Sequence, residues 1–273
     1  IYVSAGVRGM QMHLSPVELA AYIGAAFADI TYGFYSVFAN LHGSDYTEIP
    51  LEEDFSIDYE KFCGVDGGVF IANPNAPTGI YAPLSQIEKV LQTNPDNIVI
   101  VDEAYIDFAG KSAISLVDKY ENLIVVQTYS KSRSMAGSRI GFAISNENVI
   151  KYLNDVKYSF NSYTMDALTI DLGVAAIEDK EYFEMTRNKI IETREWTKLQ
   201  LRELDFDFGD SKSNFIFATH KEIPATELYE ALRKEDIYVR YFKKPERINN
   251  YLRISIGTDE EMQAFIEFLK ERI

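Results

Sequence analysis

Short apolar runs that alternate with longer helix-period stretches constrain this chain more than any other feature. "GGVFIANP" (67–74), "NIVIVDEA" (97–104), "NLIVVQTYS" (122–130) and "RIGFAIS" (139–145) read as strands. The first strands carry consecutive rather than alternating apolar residues, so both their faces must be covered, as parallel strands flanked by helices are. Between the first two lies "PLSQIEKVLQTN" (83–94), with Leu84, Ile87, Val90 and Leu91 on one helical face. Further helices are expected over roughly 146–157 (capped by Ser145 or Asn146), 165–178 and 181–204. The rhythm then changes to "SNFIFAT", a helix from Pro224, "IYVRYF", "YLRISIG" and a terminal helix from Thr258. The reading is an α/β protein with a mostly parallel central sheet, followed by a smaller α+β domain. The boundary falls in the long helix, giving a large domain at 1–185 and a small C-terminal domain at 186–273.

A formal charge of −15 disfavours nucleic acid or an anionic membrane as partner, so an anionic small molecule would need its own cluster of arginines. One cysteine, Cys63, excludes an intrachain disulfide and fits a reducing cytosol; it reads as a buried or incidental thiol. No apolar run approaches the roughly 20 residues of a membrane-spanning helix. A cytoplasmic protein is expected, with no bound metal. The chain opens on "IYV", without methionine and inside a strand, so an upstream portion is expected to be missing.

Three polar groups fall at strand ends. Asp102 closes "NIVIVD", Lys131 follows "NLIVVQTYS", and "NPNAPTG" (73–79) follows the strand before. In an open parallel sheet, ligands bind outside the carboxyl ends of the strands, so these groups would converge on one crevice. A buried aspartate there needs a cationic partner. A lysine in the same crevice can capture a carbonyl once its surroundings lower its pKa. An acid for a ring nitrogen and a lysine for an aldehyde together describe pyridoxal phosphate chemistry. "GKS" at 110–112 imitates a nucleotide-binding loop, but Tyr105 stands where that loop needs glycine, and the acidic strand precedes it.

At this point the sequence resembles the fold-type I aminotransferases, most closely the histidinol-phosphate aminotransferases. The matching stretches are "DITYGFY", "NPNAPTG", "VDEAYIDF", "TYSKSRSMAGSRIGF" and "YLRISIGT", in the family's order and reaching from about residue 29 to the end. The resemblance implies a pyridoxal 5′-phosphate enzyme with a fold-type I large domain. Lys131 would bond the cofactor aldehyde and later move the proton, Asp102 would keep the pyridine nitrogen protonated, and Tyr105 would hydrogen-bond the ring oxygen. Arg139, Ser130 and Thr128 would hold the cofactor phosphate, and Tyr32 would stack on the ring. Arg253 and Arg240 would bind the anionic end of the substrate, their pairing favouring a phosphate ester such as histidinol phosphate, with 2-oxoglutarate as acceptor. A homodimer is implied as well. Aromatic or aspartate aminotransferases, and decarboxylases of phosphorylated amino acids, share the catalytic set. A descendant that binds ligand without turnover is the remaining alternative.

Two departures stand against the family pattern. Ala76 replaces the asparagine that normally precedes "PTG", leaving Asn75 as the candidate for the ring oxygen. The segment from residue 4 to 27 does not look like the family's phosphate loop. Gly6 and the backbone amides of Val7 and Arg8 are its candidates, and Pro16 interrupts the expected first helix.

Overall fold

The structure is a computed structural model that describes residues 2–5 and 24–273. Its larger sheet contains β1 (Tyr2–Ala5), β2 (Ala25–Ala28), β3 (Tyr46–Ile49), β4 (Gly68–Ala72), β5 (Val99–Asp102), β6 (Leu123–Thr128) and β7 (Ile140–Ile144). Across the sheet the order is β1-β7-β6-β5-β4-β2-β3. From β6 to β3 every pair is parallel, whereas β7 is antiparallel to both of its neighbours. A smaller antiparallel sheet contains β8 (Phe206–Phe208), β9 (Phe215–His220), β10 (Arg240–Tyr241) and β11 (Leu252–Ser255), ordered β10-β11-β9-β8.

The helices are α1 (Phe34–His42), α2 (Leu84–Thr93), α3 (Glu147–Phe160), α4 (Ala167–Glu178), α5 (Lys180–Glu203), α6 (Ala225–Lys234) and α7 (Asp259–Arg272). Local chemistry fixes where several begin. Asn146 Oδ1 accepts the Val149 N–H at 3.1 Å, and Asp166 Oδ1 accepts that of Thr169 at 2.8 Å. Thr258 and Glu261 form a reciprocal capping box. Such caps each contribute about 1 kcal/mol by satisfying otherwise orphaned N–H groups.

The consecutive apolar residues of the central strands split between two cores. Val69, Ile71, Val99, Val101, Leu123 and Val125 face one core, with Ile87, Val90 and Leu91 of α2. Phe70, Ile100 and Ile124 face the other, with Tyr35 and Phe38 of α1 and Val149 and Leu153 of α3. A third core lies between the small sheet, α6, α7 and the C-terminal part of α5. Phe217 of β9 reaches across into the first core. Arg194, buried on α5, donates from Nη1 to the carbonyls of Phe108 (3.1 Å) and Ser213 (3.0 Å), tying the loop after β5 to the entry of β9.

Three strands and one helix escape the sequence reading. β2 is "AAFA", and alanine carries little strand signal. β3 is an edge strand of "YTEI", β8 has three residues, and α1 is only nine residues long. "IYVRYF" delivers only the two strand residues of β10. Among the described residues no helix is long and apolar enough to cross a membrane.

Candidate active site

Because β4, β5 and β6 run parallel in adjacent positions, the segments that follow them emerge on one side of the sheet. These segments are 73–79, 102–108 and 129–139. The reversal of β7 then brings Arg139 back to that end, since Gly141 pairs with Thr128. The sequence spacing from Lys131 to Arg139 is thus a tight connection across one sheet edge.

Glu103 braces two of these strand ends. It is buried, and accepts hydrogen bonds from Ser112 Oγ (2.6 Å), the Ala113 N–H (2.6 Å) and Gln127 Nε2 (2.8 Å). The "GKS" stretch is therefore structural. Ser112 anchors a loop to the buried carboxylate, and a side chain at Gly110 would collide with the ring of Tyr81.

At the floor of the crevice, Asp102 Oδ2 accepts the hydroxyl of Tyr35 at 2.7 Å, and Oδ1 accepts the Ala104 N–H at 3.1 Å. Burial raises the Asp102 pKa above the ordinary carboxylate value, opposed by these two hydrogen bonds and by the charge of Lys131. Lys131 shifts in the matching sense. Burial lowers its ammonium pKa, the positive charge of Arg253 lowers it further, Asp102 opposes this, and Arg139 adds a smaller push down. Its Nζ lies 5.3 Å from the Tyr105 ring centroid and forms no hydrogen bond or ion pair among the described residues.

Thr128 and Ser130 form a small hydroxyl cluster. Thr128 Oγ1 lies 3.0 Å from Ser130 Oγ and accepts the Ser130 N–H at 3.1 Å. Arg139 adopts a left-handed backbone conformation (φ 58°), uncommon for a side chain of this size. Its Nη1 donates to the Ala136 carbonyl at 2.6 Å, while its Nε–H is buried without an acceptor among the described residues.

Opposite these groups stand the arginines of the small sheet. Arg253 on β11 lies 5.1 Å from the Phe215 ring centroid, and the edge of that ring pairs with Tyr105 at 5.0 Å. Its Nε–H is likewise buried and has no partner among the described residues. Arg240, exposed on β10, is its direct cross-strand partner. Tyr105 has a raised pKa, chiefly from burial, with Arg253 opposing.

The remaining candidates are arranged less simply. Tyr32 is 41% exposed, so one side of its ring is open for stacking; it packs edge-on against Tyr35 at 5.6 Å. Asn75 is fully buried and already engaged. Its Nδ2 donates to the Ile30 carbonyl (2.9 Å) and Thr78 Oγ1 (3.1 Å), and its Oδ1 accepts from Thr31 Oγ1 at 2.7 Å. Both amide hydrogens are committed, so this arrangement leaves none to donate to a ring oxygen. Gly6, Val7, Arg8 and Pro16 lie outside the described residues. Tyr35 was not anticipated from the sequence. Its only signal was its position three residues beyond Tyr32, at the start of a short helix.

The donor set fits pyridoxal phosphate. Among the described residues, a lysine without hydrogen bond or ion pair stands near a half-buried carboxylate, and a hydroxyl pair and an arginine whose Nε–H lacks an acceptor are available to a phosphate dianion. A parallel sheet with polar groups at its carboxyl ends and a lysine facing an aspartate define a class. The chain belongs to the class I and II aminotransferase family, whose pattern matches residues 19–269. It is 56% identical over 245 residues to the histidinol-phosphate aminotransferase of Brachyspira hyodysenteriae, an alignment covering 89% of this chain and 69% of that relative. The crystal structure of the histidinol-phosphate aminotransferase from Clostridium acetobutylicum superposes with a TM-score of 0.89 at 24% identity, over 99% of this chain and 82% of that one. The enzyme of the same kind from Sinorhizobium meliloti, solved in complex with pyridoxal-5′-phosphate, superposes at 0.87 and 21% identity, over 100% and 77%. This is accordingly a pyridoxal-phosphate-dependent aminotransferase with a fold-type I architecture.

Proposed function

We propose that the chain transfers an amino group between histidinol phosphate and 2-oxoglutarate, a step of histidine biosynthesis. One observation carries the substrate assignment: Arg240 and Arg253 form a cross-strand pair, and the buried Nε–H of Arg253 has no protein acceptor among the described residues. A phosphate dianion satisfies two guanidinium groups better than a single carboxylate does.

When bound, pyridoxal phosphate supplies an aldehyde to capture the amino group and a ring to accept carbanion charge. The protein's own residues do the rest. Lys131 Nζ carries the proton to and from the substrate carbon; its lowered pKa lets it shed that proton more readily than an exposed lysine. The Asp102 carboxylate would keep the ring nitrogen protonated. The Tyr105 hydroxyl would donate to the ring oxygen, and the Tyr32 ring would cover one face. Arg139, Ser130 and Thr128 would hold the cofactor phosphate. Arg253 and Arg240 orient the substrate by its phosphate, so that the reacting carbon meets Lys131. Asn75 is read as a brace, because its hydrogen bonds lock Thr31, next to Tyr32, to the loop after β4. Gly6 and Val7 are assigned to the phosphate on family resemblance alone.

The same reading divides the chain into a cofactor domain at 1–185 and a smaller domain at 186–273, which the separate third core supports. A homodimer is proposed. Leu168, Ile170, Leu172, Val174 and Ile177 of α4 are 46–68% exposed, apolar surface around the helix that a second copy would cover. A cytoplasmic location is proposed, without nucleic-acid or membrane partners, in keeping with the charge of −15. A substrate panel tests the assignment. Histidinol phosphate should be preferred over aspartate and aromatic amino acids, and amino-group transfer without release of carbon dioxide separates the reaction from a decarboxylase.

A further inference from the structure

Tyr35 has no role in the assignments above, yet it makes the shortest hydrogen bond to the carboxylate at the floor of the site. Only 3% exposed, it sits on α1 with its ring packed against Phe27 (5.7 Å) and Phe70 (5.4 Å). That packing fixes the direction of its hydroxyl, which meets Asp102 Oδ2 at 2.7 Å. Asp102 has no ion-pair or hydrogen-bonded cation among the described residues; its two hydrogen bonds come from Tyr35 and from the Ala104 N–H. An ionised carboxylate offers about four acceptor positions, so one on each oxygen is filled and the others stay open toward a ligand.

We propose that Tyr35 is a positioning residue: its hydroxyl clamps one oxygen of Asp102, favours the ionised carboxylate and leaves the free lone pairs for the ring nitrogen of the cofactor. The inference rests on the aminotransferase reading in so far as a protonated ring nitrogen is what Asp102 serves. The direction of the hydrogen bond is settled by chemistry. Burial and the neighbouring Asp102 push the Tyr35 hydroxyl well above its usual pKa, so it keeps its proton and donates. The titratable groups that face Asp102 are Tyr32 and Tyr35 from α1 and the turn before it, Tyr105 from the loop after β5, and Lys131 from the β6–β7 connection. Of these only Tyr35 donates a hydrogen bond to it.

Tyr35→Phe removes one oxygen and keeps the packed ring. Two measurements on this variant decide the matter. The first is a carbon NMR titration of the Asp102 carboxyl in cofactor-free protein, assigned with Asp102→Asn. The midpoint in Tyr35→Phe should rise by about one pH unit, the size expected for losing a hydrogen bond to a charged group. A Tyr35→Phe midpoint equal to the parent's overturns the proposal. The second compares affinity for pyridoxal phosphate with that for its analogue carrying carbon in place of the ring nitrogen. Tyr35→Phe should weaken the cofactor about tenfold and the analogue little, tenfold being the equivalent of that one pH unit. Equal loss for both ligands marks a merely structural residue and overturns the proposal. If the parent chain binds neither ligand, the cofactor reading fails, while the titration still decides Tyr35.

Discussion

Arg240 and Arg253 stand directly opposite each other across the β10–β11 pair, one exposed and the other largely withdrawn against Phe215. Like charges in register across two strands repel, so the arrangement costs a little stability until an anion bridges it. Neutralising Arg240 as Arg240→Gln should therefore leave the melting temperature unchanged or slightly raised. The same change should increase KM for the phosphorylated substrate by roughly 10–100-fold, the range of one charge-assisted hydrogen bond, with a smaller effect on kcat. Steady-state kinetics beside a thermal melt check both halves.

Lys131 carries a pH signature. Its folded-state pKa lies below the ordinary lysine value, so the unfolded chain binds more protons between the two. Stability of the cofactor-free protein should accordingly rise with pH across that interval, and below it the cost of burying the charge is fully present. Lys131→Met should abolish the rise and raise the melting temperature at neutral pH, while removing turnover. Melts of parent and variant at a series of pH values test the sign.

Arg194 acts at a distance from the chemistry. Replacing it by Met abandons the carbonyls of Phe108 and Ser213, at about 1–3 kcal/mol for each buried acceptor left unpaired. Those carbonyls flank Tyr105 and Phe215, so kcat/KM should fall along with stability. Denaturant unfolding and kinetics on Arg194→Met provide the measurement.

In the core, Ile124 is fully buried on β6, between β5, which ends in Asp102, and β7, which follows Arg139. Ile124→Ala should cost about 2–5 kcal/mol through lost burial and the cavity it leaves. A loss below about 1 kcal/mol in urea unfolding would contradict the packing described.

Much of this was legible in the sequence because the signals were dense. Val99, Ile100 and Val101 are consecutive apolar residues ending at an acid, and a strand buried on both faces demands that pattern. Asn146 and Thr258 announced their helices because a capping side chain is a local device. Ala25–Ala28 was illegible because alanine favours no pleated surface, and only its pairing with β3 and β4 makes it a strand. Asn75 could be named but not oriented, since its partners Ile30 and Thr31 lie more than forty residues away. Tyr35 was hidden for the opposite reason: a tyrosine beside phenylalanines reads as core, and most of its ring is core. Its hydroxyl acquires meaning only from Asp102, sixty-seven positions along the chain.

Lys131 is proposed as the cofactor lysine of an aminotransferase acting on a phosphorylated amino alcohol. The most direct test adds pyridoxal phosphate to the purified chain, reduces with borohydride and locates the adduct by peptide mass spectrometry, with Lys131→Ala alongside. A visible absorbance band should form, be discharged by the reductant and leave the cofactor fixed to Lys131, with none on the variant. Added before reduction, histidinol phosphate should convert the bound cofactor to its amine form. A folded parent chain with no adduct, or with the cofactor fixed to another lysine, would contradict the account.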